Sequence, residues 1–225
     1  MRLDITRIIS QSVKQTKVVE RGGRKCVLKC YEGVTGAKWY LLTPVFQLSY
    51  PFVASPEDRM ERELDFFTSL KGKVNVPNVI DFDLDKKCVL REFVDGELPK
   101  TSEDYALIAR ELRRVHDWGF VMGDTKPENF VVKGGKAIII DAEQAIQSND
   151  DRLRAWDLAV LFTFVSHYTV NDLEEFRRLV RAIRDGYNGS ESVVNKVFDL
   201  KHSALLAFIP PIHQYYLRKE LVGTR

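Results

Sequence analysis

The chain has 225 residues, of which 44% are hydrophobic and 29% charged, with a formal net charge of +2. That profile fits a folded protein with one sizeable core or two small lobes; it excludes a disordered chain and leaves no overall field arguing for nucleic acid. No window approaches the roughly 18 uncharged apolar residues of a membrane span, the best being the much shorter Leu158 to Val165. Arg2, Asp4 and Arg7 near the start do not read as a signal peptide. Cys26, Cys30 and Cys88 are odd in number and lack a paired CxxC, so neither zinc nor a disulfide framework is expected, and the cytoplasm is the expected compartment.

In chain order, Ile8-Ile9 and a polar stretch, Ser10 to Thr16, precede two β-rich runs, Val18 to Arg21 and Arg24 to Lys29. Gly22-Gly23 between them predicts a tight hairpin. Period-two alternation puts Val27 and Lys29 on one face of the second strand and Cys26, Leu28 and Cys30 on the other. From Tyr31 to Ala54, Gly33, Gly36, Pro44 and Pro51 interrupt an aromatic-rich segment with a possible hairpin at Ala37 to Leu42; packing against its own lobe is favoured over an exposed docking surface. Ser55-Pro-Glu-Asp58 is a helix start, and Met60, Leu64 and Phe67 mark the buried stripe of a helix to about Leu70. Glu63 lies on that stripe; a buried carboxylate needs a cation, and Lys29 is the natural one. Val76 to Ile80 and Lys87 to Val94 read as further strands, the second broken by Asp95-Gly96.

Thr101-Ser-Glu-Asp104 is a capping box opening a helix with Tyr105, Ile108, Leu112 and Val115 on one face. It ends near His116, read as polar decoration of a helix end. A polar loop then carries Asp124, Lys126 and Asn129. Two apolar runs around Gly134-Gly135 form a second hairpin ending on Asp141, which puts Asn129 and Asp141 at the same end. An amide and a carboxylate there suit Mg²⁺, a hard ion with oxygen ligands, and Asp124 is left to orient a hydroxyl. Ala155 to Val165 reads as a buried helix with Asp157 in its first turn, where it suits the helix dipole. Asn171 caps another helix, Val193 to Phe208 looks helical until Pro210-Pro211, and Ile212 to Val222 reads as a short aromatic and basic tail.

D-x-K-P-x-N followed by a hydrophobic strand and an acid resembles the catalytic and metal-binding loops of the protein-kinase superfamily. Lys29, Glu63, Leu90 to Gly96, Asp124, Asn129 and Asp141 occur in that superfamily's order. The pattern is similar to small atypical kinases, the RIO family and the kinase of the KEOPS tRNA-modification assembly. The resemblance implies an α+β, bilobal protein-kinase-like fold. Residues 1–94 would form a small, mainly β N-lobe with one helix, and residues 95–225 a reduced, mainly helical C-lobe. It implies an ATP- and Mg²⁺-dependent phosphotransferase, first of all an atypical protein serine/threonine kinase. In that scheme Lys29, held by Glu63, grips the phosphates, and Val27, Glu92, Val94 and Val131 surround the adenine. Asn129 and Asp141 hold the metal, Lys126 neutralises the transferred phosphoryl, and Asp124 orients the acceptor. Asp157 would accept amides of the catalytic loop.

The chain departs from the His-Gly-Asp loop of those small atypical kinases at Met122, has Gly123 where typical regulated protein kinases carry arginine, and has Asp141-Ala-Glu in place of Asp-Phe-Gly. It has no glycine-rich loop motif, so Ser10 to Thr16 would have to cover the phosphates, and no long activation segment. A small-molecule kinase of the aminoglycoside-phosphotransferase type and an ATPase subunit of a complex are the alternatives. A protein substrate or complex partner is expected, with an indirect link to tRNA modification if the KEOPS likeness holds. Leu217 to Arg225 carries only three basic residues, so direct nucleic-acid binding is not expected.

Overall fold

The computed structural model describes residues 16–31 and 46–223. The expected phosphate cover at residues 10–15 and the hairpin at residues 37–42 lie outside the described residues. Strands β1 (Thr16–Arg21) and β2 (Arg24–Cys30) form the hairpin that Gly22-Gly23 predicts, both glycines having φ near +60° to +70°. With β3 (Val79–Asp83) and β4 (Cys88–Glu92) they make a four-stranded antiparallel sheet in the order β1-β2-β4-β3. Helix α1 (Pro56–Ser69) packs on that sheet. It starts where Ser55 accepts the Asp58 amide, at 3.0 Å, with proline in the first turn.

The register sets Cys30 opposite Cys88, their Cα atoms 4.1 Å apart, and the two form a disulfide. This overturns the expectation that no disulfide forms. The odd count arises because Cys26 stays free and buried, and a 58-residue separation hides a pairing that only strand register reveals. Cysteine usage therefore gives no support to a reducing compartment.

The second lobe opens with α2 (Ser102–Asp117), whose Thr101–Asp104 capping box is formed in both directions. Strand β5 (Phe120–Val121), the loop from Met122 to Asn129, the β6 (Phe130–Lys133) and β7 (Lys136–Ile139) hairpin, and β8 (Ile146–Gln147) paired with β5 lead to α3 (Asp151–Tyr168). Helix α3 begins four residues before the expected Ala155, capped by Asp150, and is buried almost all round from Ala155 to Phe162. Helix α4 (Leu173–Tyr187) is capped by Asp172, one residue after the expected Asn171. The expected helix from Val193 to Phe208 is broken into α5 (Glu191–Lys196), a 3₁₀ turn and α6 (Ser203–Leu206). Asp199, which accepts the Lys201 amide, caps the 3₁₀ turn. The main core surrounds α3 and reaches Phe66, Phe67 and Leu70 of α1; a smaller cluster of Tyr31, Met60 and Val89 lies under the sheet. No helix among the described residues is long and apolar enough to cross a membrane.

The supposed tail is helix α7 (Pro211–Val222), with Pro211 as its first residue and Leu217 fully buried. The carboxylate of Glu220 accepts from Arg177 at 2.8 Å and Arg181 at 3.0 Å, tying α7 to α4. Burial opposes its charge, but the two guanidiniums hold its pKa below the ordinary 4.5. A depressed carboxylate stabilises above its unfolded pKa, and the stabilisation is lost as pH falls through the folded value. Glu220→Gln is therefore expected to cost about 1 kcal/mol at neutral pH, a cost that disappears in acid. Melting temperatures of both proteins at pH 7 and pH 3 check this.

Candidate active site

Lys29 is 2% exposed, at the end of β2, and its ammonium must be neutralised there. Glu63 Oε2, on a wholly buried carboxylate of α1, lies 2.5 Å from Lys29 Nζ; Asp141 Oδ1 lies at 3.1 Å and Glu143 Oε2 at 3.4 Å. Burial works against the ammonium, but Asp141 and Glu63 outweigh it and hold the Lys29 pKa well above its ordinary value. Glu63 is raised, chiefly by burial. The amide of Ala142 faces Glu63 Oε2 at 3.4 Å, so the position where Asp-Phe-Gly would put its phenylalanine is a buried alanine against α1.

Arg59 lies one helical turn before Glu63, on the same inward face, and is fully buried. Its guanidinium reaches Glu143 at 2.7 Å, and burial of Glu143 is outweighed by Lys29 and Arg59, which keep its pKa low. Helix α1 is thus tied to the Asp141 segment twice, once through Glu63 and Lys29 and once through Arg59 and Glu143. The sequence reading missed this second tie, although Arg59 four residues before Glu63 was a readable signal. Arg59→Ala leaves a buried carboxylate short of a partner and is expected to cost about 3 kcal/mol. Arg59→Ala/Glu143→Gln should recover much of that loss in urea unfolding.

The register Phe130↔Ile139, with the Ile140 amide on the Asn129 carbonyl at 2.8 Å, sets Asn129 and Asp141 at one end of the β6–β7 hairpin. Asn129 spends its side-chain N–H on the Asp124 carbonyl at 2.7 Å, so its amide oxygen is the atom left for a cation. Lys126 Nζ sits 2.7 Å from Asp124 Oδ2. Burial is opposed by Asp124 and Asp141, and the Lys126 pKa is raised. The donor set is one amide oxygen and one carboxylate with a solvent-facing edge (Asp141 is 31% exposed), which fits a hard divalent ion holding several other ligands. Among the described residues no cluster of three or more His, Cys, Asp or Glu forms a metal cage.

What holds the loop is Asp157. It lies nearly two turns inside α3, beyond the first turn to which the effect of the helix dipole is confined. Its two oxygens accept the amides of Met122 and Gly123, each at 2.7 Å. His116 is no surface decoration: it is 1% exposed, 3.0 Å from Asp157 Oδ2 and 2.7 Å from the Tyr187 hydroxyl, and one tautomer satisfies both. Trp156 donates to the Gly123 carbonyl at 2.9 Å. Tyr50 donates to the Gln144 carbonyl at 2.7 Å and lays its ring on Gly123. The described part of the aromatic segment therefore packs its rings on the second lobe, Phe46, Tyr50 and Phe52 surrounding Trp156 at 5.6–6.1 Å, while the Pro51 carbonyl accepts from Arg62 of α1 at 2.9 Å.

Of the expected adenine contacts, Val27 is buried on β2 opposite Arg91, and Glu92 ends β4 with its carboxylate on Asn78 at 2.9 Å. Val94 is partly exposed in the linker. Val131 lies on β6 where Gly96 of the linker presses against it; a Cβ on Gly96 would come within 3.1 Å of Val131. Glu97 and Val132 exchange backbone hydrogen bonds at 3.0 and 2.7 Å, and Arg91 donates to the Ile140 carbonyl at 2.8 Å, so both lobes grip the hairpin.

A small antiparallel sheet with one helix and a buried Lys–Glu pair, joined to a helical lobe that presents Asp124, Asn129 and Asp141, defines a protein-kinase-like fold, and the chain resembles the protein-kinase-like superfamily. In sequence it is similar to two proteins named "Probable bifunctional tRNA threonylcarbamoyladenosine biosynthesis protein". The one from Methanoculleus marisnigri is 27% identical over 137 residues, 60% of this chain and 25% of that protein. The one from Methanobrevibacter smithii is 31% identical over 94 residues, 40% of this chain and 18% of that protein. The matches thus span a quarter or less of those relatives. No family model matches the chain. Among solved structures it is similar to WaaP in complex with acyl carrier protein (TM-score 0.49, 15% identity, 89% of this chain and 84% of that one). It is also similar to amicoumacin kinase hAmiN in complex with AMP-PNP, Ca²⁺ and Ami (TM-score 0.48, 11% identity, 99% and 94%).

Proposed function

We propose that the protein is an ATP-dependent phosphotransferase that uses Mg²⁺. The observation that carries this is the convergence of Lys29, Glu63 and Asp141 within 3.1 Å of the lysine Nζ, beside a loop that presents Asp124, Lys126 and Asn129. Phosphoryl transfer is mainly positioning and charge neutralisation, and these groups supply both. Asn129 and Asp141 would hold Mg²⁺, which neutralises phosphate charge when bound. Lys29, fixed by Glu63, binds the α- and β-phosphates, and Lys126 neutralises charge growing on the transferred phosphoryl. Asp124 orients the acceptor hydroxyl and takes its proton late. Val27, Val131 and the linker from Glu92 to Val94 would enclose the adenine.

Lys126 is the protein-kinase choice at its position and is the ground for a protein serine or threonine acceptor, as in RIO-like enzymes. The two sequence relatives support a link to tRNA threonylcarbamoyladenosine biosynthesis through a KEOPS-type complex. A second reading, a small-molecule acceptor, is favoured by a cavity beside Asp124. Incubation with γ-labelled ATP and Mg²⁺, scoring protein label, low-mass label and free phosphate together, tests the reading. Transfer or hydrolysis that depends on Asp141 supports it; failure to bind ATP defeats it.

A further inference from the structure

The geometry points to an acceptor site for a small alcohol with an apolar, ring-sized body. It takes up the small-molecule reading of the acceptor in place of the protein one and rests on the phosphotransfer reading above. A cavity of about 630 Å³ opens directly off Asp124 and Lys126, within the range of small-molecule sites. Its far walls are Phe46, Trp156, Val160, Phe164 and Phe208, contributed by α3 and the segments packed on it. Aromatic faces at that density bind apolar or ring-bearing groups, and an alcohol seated among them brings its hydroxyl to the Asp124 end.

Two polar groups on the wall narrow the occupant. Glu128 accepts the Tyr168 hydroxyl on Oε1, which leaves Oε2 to accept from a donor on the occupant. His167 Nδ1 lies 2.8 Å from the Thr163 carbonyl, which can only accept. The ring therefore donates from Nδ1 and keeps Nε2 as an acceptor, suited to a second hydroxyl or N–H on the occupant. The segment Ala142–Asp150 between Asp141 and α3 is short and partly paired as β8, so among the described residues it offers no extended platform for a peptide. In the step proposed, the acceptor oxygen forms a bond to the γ-phosphorus of ATP. The bond from that phosphorus to the β,γ-bridging oxygen breaks, ADP leaves, and the hydroxyl proton passes to Asp124.

The test uses the full chain with γ-labelled ATP and Mg²⁺. It is given either the protein fraction or the low-mass fraction of a lysate from the cells that carry the gene. Label is expected in the low-mass fraction, in an organic phosphate. Thr163→Trp, which fills the cavity, should lower the rate at subsaturating extract at least about tenfold. Phe208→Asp, at a wall position 59% exposed and so tolerant of a charge, should do the same through KM. AMP-PNP binding by both variants, read by calorimetry, shows that they fold. Label confined to protein, or low-mass label indifferent to both variants, overturns the acceptor proposal. No label in either fraction with AMP-PNP still bound also overturns it and leaves the nucleotide reading standing. Loss of AMP-PNP binding in the unsubstituted protein defeats that reading itself.

Discussion

Asp141→Ala should lower phosphoryl transfer by about a thousandfold or more while leaving the protein folded. The two halves of that expectation come from different atoms. Asp141 turns one oxygen to Lys29 at 3.1 Å and to the Glu143 amide at 3.3 Å, and its side chain is 31% exposed, so it can meet a cation from solvent. Without it Lys29 keeps Glu63 at 2.5 Å and Glu143 at 3.4 Å, and the buried ammonium stays neutralised. Lys29→Met is the instructive contrast. It strands Glu63, a wholly buried carboxylate, and should cost about 3–5 kcal/mol of stability besides activity. Single-turnover transfer rates with urea unfolding of both variants separate the cases. An Asp141→Ala protein that transfers at the original rate would remove this residue from the metal site.

The second large effect is expected at Gly123. Its φ is +77°, where L side chains are strained, and a Cβ there would lie 2.4 Å from the Tyr50 ring. The loop has no room to yield. Asp157 holds its amides, Trp156 its carbonyl, and Tyr50 is anchored through its hydroxyl to Gln144. Gly123→Ala should cost about 3 kcal/mol or more and displace Asp124 with it. Combining it with Tyr50→Ala relieves the collision and leaves the backbone strain, so the two losses should fall short of additive in urea unfolding. Strict additivity would mean that the ring and the glycine do not meet.

Much of this site could be read from residue types alone, because the chemistry constrains them. A lysine on an early strand, an acid on the inward stripe of the next helix, and a hairpin carrying Asn129 and Asp141 at one end are local patterns. What sequence left hidden depends on long-range register and packing. The Cys30–Cys88 pair needs β2 and β4 aligned. For Asp157 only the dipole reading fails, because α3 begins at Asp151 and leaves it beyond the first turn; its bonds to the loop amides are those the kinase resemblance implies. Nothing near His116 in the chain announces Tyr187, 71 residues on, so a buried bond there reads as a polar helix end. Gly123 read as a missing arginine, whereas its conformation and Tyr50 exclude any side chain there. Helix α7 reads as a tail in sequence because its bonds run to α4, far away in the chain.

The disulfide makes the chain from Cys30 to Cys88 a closed covalent ring that contains all of α1, and with it Arg59 and Glu63. Closing a loop of 58 residues removes about 4 kcal/mol of unfolded-chain entropy at room temperature. It also alters what a protease can achieve. One cut between Tyr31 and Lys87 would leave two pieces that migrate as a single species until a thiol is added, with the lysine-clamping helix still leashed to the sheet at one end. Lys29 and Cys30 are consecutive residues of β2, so an agent that opens the ring acts on the strand that positions the buried ammonium.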